Sequence, residues 1–324
     1  MIKKSNASLV TLVSILNDGA YHDGDTLGKK LKMTRSAVWK AIKKLETYGV
    51  NIDSVKGKGY AMQEPLILLD AAKIKQQLAL NKVEVNVYEV VSSTNDCLKE
   101  LKQQKGIKIC LAEQQTSGRG RLGREWYSPF GRNIYLSCRY PFQKDISELA
   151  GLSLVVGLAV LRTLHHFGMD EPLVAKWPND ILYQQKKISG TLIDIQAEAH
   201  GASHAIIGIG INVNMLQDAN RIMQAWTSMQ NELGRYIDRN ELSAELINTL
   251  LDYLTRFNQD GFQLFIEEWT EADCLTQQLI TLKNLDTTFT GKVLGVNAQG
   301  NLLLECKDGT VAVFSSGDTS ITKK

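Results

Sequence analysis

Residues 118–126 read Gly118-Arg119-Gly120-Arg121-Leu122-Gly123-Arg124-Glu125-Trp126, and they decide whether the chain has a dinucleotide-binding fold or another α/β fold. The spacing of the three glycines is Gly-x-Gly-x-x-Gly, the fingerprint of a dinucleotide-binding fold. That fingerprint should open an apolar helix and be followed about 20 residues later by an acidic residue. The chain continues instead with Tyr127-Ser128-Pro129-Phe130-Gly131, which has a proline and no helical period. The dinucleotide-binding fold is therefore ruled out, and the segment is predicted to be a loop.

The same loop is strongly basic. Arg119, Arg121 and Arg124 lie within six residues, and their charges repel one another unless an anion neutralises them. Glycine lets the backbone approach a phosphate closely, and a guanidinium group binds phosphate through two parallel hydrogen bonds. The composition indicates a loop that grips an anionic, nucleotide-derived ligand. A flexible solvated loop is the alternative interpretation.

The segments around the loop are typical of an α/β domain. Val83–Val91 and Ile107–Glu113 are predicted strands, and the first delivers Ser92-Ser93-Thr94-Asn95 to a helix start. These small polar residues would either cap the helix or donate hydrogen bonds to a small polar ligand, and the residues alone favour neither. Leu149–Leu164 is apolar but shorter than the ~20 residues that span a bilayer, so we expect a buried helix and no membrane anchor.

A third polar cluster follows a short apolar run. It reads Lys176-Trp177-Pro178-Asn179-Asp180, and the proline forbids a central strand at this point. Lys187 and Gly190 come a few residues later, before the predicted strand Thr191–Ala197. Asp180 is interpreted either as part of a surface Lys–Asp pair in a tight turn or as a ligand of Mg²⁺ on a polyphosphate.

Together these residues suggest chemistry between two anions. Positive charge comes from Arg119, Arg121, Lys176 and Lys187. The sequence has no Walker A motif, no His-Glu-x-x-His, no nucleophile elbow and no kinase motifs. An electrostatic clamp without a protein nucleophile suits the attack of a substrate carboxylate on the α-phosphate of a nucleotide.

The N-terminal segment is predicted to be a separate module. Residues 8–48 give three short helical patterns, and the third starts after Thr34 and ends before Gly49. Asn51–Met62 alternates and turns at residues 56–59, which predicts a β-hairpin. Three helices followed by a hairpin are the plan of a winged helix-turn-helix.

The charge of this module indicates DNA binding. Between Gly28 and Lys58, nine Lys and Arg residues stand against two acidic ones, a local net charge of +7 in a chain of net charge +2. The predicted DNA-contacting residues are Arg35, Ser36, Trp39, Lys40, Lys43, Lys56 and Lys58. A solvated basic face on a small structural domain is the alternative.

The remaining segments complete a three-part organisation. Pro65 marks a linker and Asp70 opens a new helix, while Gln278–Ile321 shows short strands typical of a small SH3-like barrel. Trp226 is expected in the core. The predicted domains are residues 1–63, 64–270 and 271–324 of a multidomain α+β protein. Five scattered cysteines without a Cys-x-x-Cys pair fit reduced thiols in a cytoplasmic protein.

At these motifs the sequence resembles the biotin–protein ligases, specifically the bifunctional type that also represses the biotin operon. The matching segments, in family order, are Ser93-Thr94-Asn95, Gln115, Gly118–Arg121 through Trp126, Lys176–Asp180, Lys187-x-x-Gly190 and Gly208–Asn212. One departure is Ser92, which stands where an acidic residue often precedes the Ser-Thr-Asn triplet. The resemblance implies a central domain like the class II synthetases, a mixed α/β fold, between the winged helix and the barrel.

The resemblance also implies a two-step reaction. Biotin and ATP give biotinyl-5′-AMP, and a lysine of the biotin carboxyl carrier protein of acetyl-CoA carboxylase then takes the biotin. By analogy the biotin- and adenylate-binding residues are Ser93, Thr94, Asn95, Gln115, Arg119, Gly120, Arg121, Trp126, Lys187, Gly190 and Asn212. The expected catalytic residues are Lys187, Arg121, Asp180 and Lys176, with Asp180 organising Mg²⁺.

Further partners follow from the same resemblance. Operator DNA is expected to bind the winged helix, and the adenylate-bound protein is expected to be a homodimer because a two-fold protein suits a palindromic site. Two other functions compete with this interpretation. One is a ligand-sensing regulator without catalysis, and the other is a lipoate–protein ligase, which shares the adenylation chemistry.

Overall fold

The computed structural model describes residues 3–4, 7–100, 106–170, 172–197, 203–216, 222–284 and 287–321. Within these ranges the chain forms an eight-stranded mixed sheet, a five-stranded antiparallel sheet and a two-stranded hairpin. The three predicted parts are therefore present, and the α+β class is confirmed.

The N-terminal part is a winged helix, as predicted. Its elements are α1 (Ala7–Leu16), α2 (Gly24–Leu31), α3 (Arg35–Thr47), β2 (Ile52–Val55) and β3 (Gly59–Met62), preceded by β1 (Lys3–Lys4). Thr34 caps α3, since its hydroxyl oxygen accepts a hydrogen bond from the amide of Ala37 at 3.2 Å. Val38, Ile42 and Leu45 follow the helical period and are fully buried.

The central part is built on the eight-stranded sheet. Its strands are β4 (Val83–Val91), β5 (Ile107–Gln115), β6 (Ile134–Phe142), β7 (Leu173–Lys176), β8 (Asp180–Tyr183), β9 (Lys186–Ala197) and β10 (Ser203–Ile211). Their order is β1-β4-β5-β6-β10-β9-β8-β7. Only β4 and β5 run parallel among these neighbours in the described ranges. The pairing of β1 with β4 ties the N-terminus to the central sheet, which no sequence pattern predicts.

Helices cover the sheet and supply its main core. They are α4 (Ala71–Gln76), α5 (Thr94–Lys99), α6 (Leu152–His166), α7 (Met229–Leu233), α8 (Arg239–Asp260) and α9 (Ile266–Ala272). The helical stretch Ile146–His166 is long and apolar enough to cross a membrane, but more than half of it is buried inside the protein. Its α6 portion is the buried core helix that the sequence predicts.

The C-terminal part is the five-stranded sheet. Its strands are β11 (Leu279–Asn284), β12 (Thr287–Val296), β13 (Leu302–Cys306), β14 (Val311–Phe314) and β15 (Asp318–Ile321), in the order β14-β13-β12-β11-β15. All neighbouring strands are antiparallel, as expected for a small β-rich domain.

Several strand boundaries differ from the prediction, and β5 runs to Gln115 rather than to Glu113. β9 begins at Lys186, so Lys187 and Gly190 lie inside the strand rather than before it. The turn into β9 places Gln184 and Gln185 at φ of 47° and 64°, a left-handed conformation that usually requires glycine or asparagine. Because glutamine is not a typical turn residue, no sequence signal marked this hairpin. The sequence predicts a strand over Ile206–Val213, whereas β10 begins at Ser203 and ends at Ile211, so Asn212 follows the strand.

Candidate active site

A cavity of about 810 Å³ lies over the sheet, between the central and C-terminal parts. All the predicted ligand-binding and catalytic residues line it. They are Ser93, Thr94, Asn95, Gln115, Arg119, Gly120, Arg121, Trp126, Lys176, Asp180, Lys187, Gly190 and Asn212. The structure thus brings together residues that are up to 119 positions apart between Ser93 and Asn212.

One wall of the cavity is buried and polar. Ser93, Thr94 and Asn95, at the start of α5, are each no more than 5% exposed. Ser93 occupies the N-cap position, yet its side chain makes no capping hydrogen bond. Capping therefore does not account for Ser93, and its hydroxyl is available to a ligand.

The wall is fixed by hydrogen bonds to neighbouring strands. The amide of Thr94 donates to Oε1 of Gln115 at 2.9 Å, and Nε2 of Gln115 donates to Oγ of Ser128 at 3.1 Å. Ser128 in turn donates to the carbonyl of Trp126 at 2.8 Å. This chain sets the orientation of the Gln115 amide, because its oxygen and nitrogen each have a defined partner.

A second wall is the arginine loop, residues 118–126. Arg119 pairs with Asp96, and Arg124 pairs with Asp318 of β15. Arg121 donates to Oδ1 of Asn179 and to the carbonyl of Gly317, each at 3.4 Å. Carboxylates of the protein itself therefore balance two of the three arginines, whereas the sequence suggested that only a ligand anion would do so.

Arg121 differs from the other two arginines. Burial lowers the pKa of its guanidinium group, while the carboxylates of Asp318 and Asp180 act in the opposite direction. Its two hydrogen bonds are long and go to neutral oxygens. A phosphate in the cavity would offset the burial of this charge better than the present partners do.

Trp126 closes the cavity against two glycines. A Cβ atom on Gly210 would lie 2.5 Å from the Trp126 ring, and one on Gly190 would lie 3.2 Å from it. The indole Nε1 is buried and has no hydrogen-bond partner in the described part of the chain. A ligand acceptor within reach would satisfy it.

Lys187 and Asp180 form the charged centre of the cavity. The Nζ atom of Lys187 lies 2.7 Å from Oδ1 of Asp180 and 5.4 Å from the centre of the Trp126 ring. Both side chains are less than a quarter exposed. The predicted surface Lys–Asp pair is thus a partly buried pair inside the cavity, with Lys187 as the lysine.

The polar kink between β7 and β8 joins the cavity to the C-terminal part. The indole Nε1 of Trp177 donates to the carbonyl of Gly300 at 3.1 Å, and the hydroxyl of Thr319 donates to the Trp177 carbonyl at 3.2 Å. Asp318, Thr319 and Ser320 line the cavity. The sequence motif placed Trp177 at a rigid turn but did not show which domain it would contact.

The sequence prediction misplaced one cavity residue and missed another residue that supports the cavity wall. Trp226, expected in the core, lines the cavity because residues 225–227 pair with the backbone of Lys187. Ser137 is fully buried in β6 and contacts Thr94 and Asn95. The single serine of the predominantly hydrophobic strand Ile134–Phe142 was the available signal for Ser137.

The predicted DNA-binding residues are all exposed on the winged helix. Arg35, Ser36, Trp39, Lys40 and Lys43 are exposed on α3, and Lys56 and Lys58 are exposed at the hairpin turn. Trp39 is 50% exposed. Lys44 differs from its neighbours, because its ammonium group pairs with the buried Glu89 of β4. It therefore faces the central part rather than solvent.

Comparison with known proteins agrees with this architecture. The Biotin/lipoate A/B protein ligase family model matches residues 87–212, an HTH domain model matches residues 9–61, and the Biotin protein ligase C terminal domain model matches residues 278–321. The bifunctional ligase/repressor BirA of Salmonella typhimurium is 38% identical over 314 residues, which cover 96% of this chain and 97% of the relative. The protein of the same name from Escherichia coli is 37% identical, with 98% of each chain covered.

Solved structures extend the comparison to ligand complexes. The biotin protein ligase from Aquifex aeolicus in complex with biotin and ATP matches with a TM-score of 0.64 and 30% identity, covering 74% of this chain and 99% of that one. Sequence, domain order and fold agree, and the chain belongs to the family of bifunctional biotin–protein ligase/repressors.

Proposed function

We propose that this protein activates biotin with ATP to form biotinyl-5′-AMP, and then transfers biotin to a lysine of an acceptor protein. The observation that carries the proposal is the composition of the cavity. It combines a buried, hydrogen-bonded polar wall with a basic loop and a lysine–aspartate centre. The wall suits the neutral polar head of biotin, and the basic side suits phosphates.

In the first step a carboxylate oxygen of biotin bonds to the α-phosphorus of ATP, and pyrophosphate leaves. Ser93, Thr94, Asn95 and Gln115 hold the biotin head so that its carboxylate points toward Lys187. Lys187 and Arg121 then stabilise the negative charge that develops on the α-phosphate, without forming a covalent bond to the substrate. Trp126 and Gly190 shape the passage between the two ends of the cavity.

In the second step the ε-amine of the acceptor lysine attacks the carbonyl carbon of the adenylate. AMP departs, and the amine loses a proton as the amide forms. Arg119, Gly120 and Arg121 keep the mixed anhydride in place until the acceptor arrives. Lys176 and Asn212 serve the nucleotide end, where Trp226 also lines the cavity. We propose the biotin carboxyl carrier protein of acetyl-CoA carboxylase as the acceptor.

Magnesium fits this site only together with a nucleotide. Among the described residues, no group of three His, Cys, Asp or Glu side chains comes together. Asp180 is a single carboxylate in the charged centre, and Mg²⁺ commonly binds through one or two carboxylates plus substrate phosphates. Asp180 would therefore hold the ion on ATP, where its charge neutralises the phosphates.

One experiment separates biotin ligation from its two rivals. The protein is incubated with ATP, Mg²⁺ and either biotin or lipoate, and the bound product is identified by mass spectrometry. We expect biotinyl-5′-AMP and no lipoyl-AMP. Lipoyl-AMP alone would identify a lipoate–protein ligase, and bound biotin without adenylate would identify a sensor without catalysis.

We further propose that the winged helix binds operator DNA and represses biotin biosynthesis. The exposed basic residues of α3 and the hairpin turn support this, as does a Trp39 side chain left half exposed. We expect a homodimer in the adenylate-bound state, acting in the cytoplasm, where ATP and the acceptor are found.

This second activity has its own test. Fluorescence anisotropy is measured with duplex DNA taken from upstream of the organism's biotin-biosynthesis genes, and with a shuffled duplex. Biotin and ATP should strengthen binding to the first duplex only, and sedimentation should show a dimer. Equal affinity for both duplexes under all conditions would contradict the repressor role.

A further inference from the structure

Asn95 is a buried polar residue of the wall, and both ends of its side-chain amide have defined partners. Nδ2 donates to Oδ2 of Asp194 at 2.9 Å and lies 3.4 Å from the carbonyl oxygen of Leu192. Oδ1 accepts from the hydroxyl of Ser137 at 2.6 Å. A Cβ on Gly208 would lie 2.4 Å from the same Oδ1, so the amide also fills the space above that glycine.

Asp194, on β9, lies outside the cavity lining, and a lysine pairs with the same carboxylate oxygen that accepts from Asn95. The ammonium group of Lys99 lies 2.9 Å from Oδ2 of Asp194. Lys99 is on α5, one turn after Asn95, so the helix that carries the wall also carries the counter-ion of Asp194. The carboxylate is therefore kept in place beside the Asn95 amide.

An ionised carboxylate only accepts hydrogen bonds, and this fixes the direction of the whole wall. Asn95 must turn its nitrogen to Asp194 and its oxygen to Ser137. Ser137 has one hydrogen, which goes to Asn95 Oδ1. The hydroxyl of Thr94, 2.7 Å from that of Ser137, is then left to donate to Ser137 or to Oε1 of Gln115, 3.2 Å away.

We propose that Asp194 is a positioning residue for the polar ligand head: it sets the direction of the hydrogen bonds that run from Asn95 through Ser137 to the hydroxyl of Thr94. This rests on the proposed biotin site and deepens it. Asp194 does not touch the ligand. It determines which atoms of the wall can donate a hydrogen bond to the cyclic urea group of biotin and which can accept one.

The test compares Asp194→Val and Asp194→Asn with a matched control, Glu84→Gln. Glu84 also pairs with a lysine, Lys108, and accepts from an asparagine amide, Asn86 at 2.9 Å. Neither Glu84 nor its two partners lines the cavity. Biotin Kd is measured by calorimetry, and kcat and KM for biotin and ATP are measured in adenylate formation.

Asp194→Val should raise the Kd and KM for biotin about tenfold, the scale of one missing hydrogen bond to a charged group. Its kcat at saturating biotin and its KM for ATP should stay within about twofold of wild type. Asp194→Asn keeps an acceptor and should have a smaller effect, whereas Glu84→Gln should have none. A merely structural role would instead lower kcat and thermal stability together.

An exchange of the two side chains gives an independent readout. Asn95→Asp alone places two carboxylates against each other and should weaken biotin binding more than Asp194→Val does. Adding Asp194→Asn restores a hydrogen-bond donor between positions 95 and 194. The carboxylate at position 95 still accepts the hydrogen bond from Ser137, so the double variant should recover most of the affinity.

The outcomes separate the two proposals. Absence of biotin binding by the wild-type protein would overturn the proposed function itself. Wild-type binding together with an Asp194→Val variant that behaves like Glu84→Gln would overturn only the role of Asp194. A double variant no tighter than Asn95→Asp would also overturn that role.

Discussion

The two walls of the cavity are built on opposite principles. The buried wall holds Ser93, Thr94, Asn95 and Ser137, all at most 5% exposed, and hydrogen bonds from Ser137 join it to Thr94 and Asn95. The arginine loop is closed by its own backbone hydrogen bonds, and partly exposed ion pairs such as that of Arg124 with Asp318 hold it to the rest of the protein. Exposed pairs of this kind contribute about 0–1 kcal/mol each.

This difference indicates which wall selects the substrate and which wall retains the adenylate intermediate. A wall that is already ordered recognises its ligand without a cost for reorganisation, and it discriminates against ligands that leave its polar groups unpaired. A loop that is weakly held can exchange its partners for a phosphate when the adenylate forms. We infer that the wall selects biotin and that the loop retains the intermediate.

The largest effect is expected at the charged centre between the walls. Lys187→Ala removes the cation paired with Asp180 and should slow adenylate formation about a hundredfold or more, the scale of removing one charge-stabilising donor. Rapid-quench measurement of pyrophosphate release provides the rate. Lys186→Ala is the matched control, because this neighbouring lysine is about half exposed and lies 3.9 Å from Glu232. A Lys187→Ala protein with the wild-type rate would contradict this role.

The next effect separates retention from selection. Arg121→Gly should shorten the half-life of the enzyme-bound adenylate at least tenfold, because glycine cannot make the charge-assisted hydrogen bond to the phosphate, while the biotin Kd changes little. Release is followed by trapping free adenylate. Leu122→Gly controls for loop flexibility, since this residue is exposed and already at φ 55°. Equal leakage from both variants would assign retention to loop stiffness rather than to charge.

Crowding the contact between Trp126 and Gly210 should have an intermediate effect on biotin binding. The methyl group of Gly210→Ala would lie 2.5 Å from the Trp126 ring and should displace it, at a cost of about 1–3 kcal/mol. We expect a higher KM for biotin and a lower melting temperature. Gly157→Ala is the control, because its nearest neighbours outside its own helix are 3.8 Å away and the helix interior favours alanine. Unchanged kinetics for Gly210→Ala would show that Trp126 does not shape the site.

The smallest effect concerns the winged helix, which lies apart from both walls. Replacing Lys40 and Lys43 with alanine should reduce the slope of log affinity against log salt by about 0.9 for each phosphate that is no longer neutralised. Titrations of operator DNA at several salt concentrations measure this slope. Lys73→Ala removes an exposed helical lysine outside the winged helix and should leave it unchanged. Identical slopes for the wild type and both variants would place the DNA elsewhere.

Local signals predicted much of this molecule. The Thr34 cap, the period of α3 and the alternating hairpin defined the winged helix, because each depends on neighbours within a few residues. The glycine–arginine motif likewise identified the loop residues, and the run of small polar residues at 92–95 identified three wall residues that line the cavity. Roles came from the resemblance to a family, since composition alone left capping and ligand binding equally open at Ser93.

Partners distant in sequence could not be predicted. Arg124 and Asp318 are 194 positions apart, and Asn95 and Asp194 are 99 apart, so no local period relates them. Trp226 was assigned to the core because a large aromatic residue usually is buried, but backbone pairing with Lys187 brings it to the cavity. The tertiary fold determines such contacts, because a local sequence pattern carries no information about which distant residue a side chain will meet.

Amide hydrogen exchange tests the contrast between the walls most directly. It is measured for the protein alone, with biotin, and with biotin plus ATP. We predict that peptides covering residues 93–98 and 110–115 are strongly protected in all three states, and that residues 118–126 gain protection only when the adenylate forms. Full protection of the loop in the ligand-free protein, or a gain in the wall as large as that in the loop, would contradict the division between a preformed selecting wall and a ligand-ordered retaining loop.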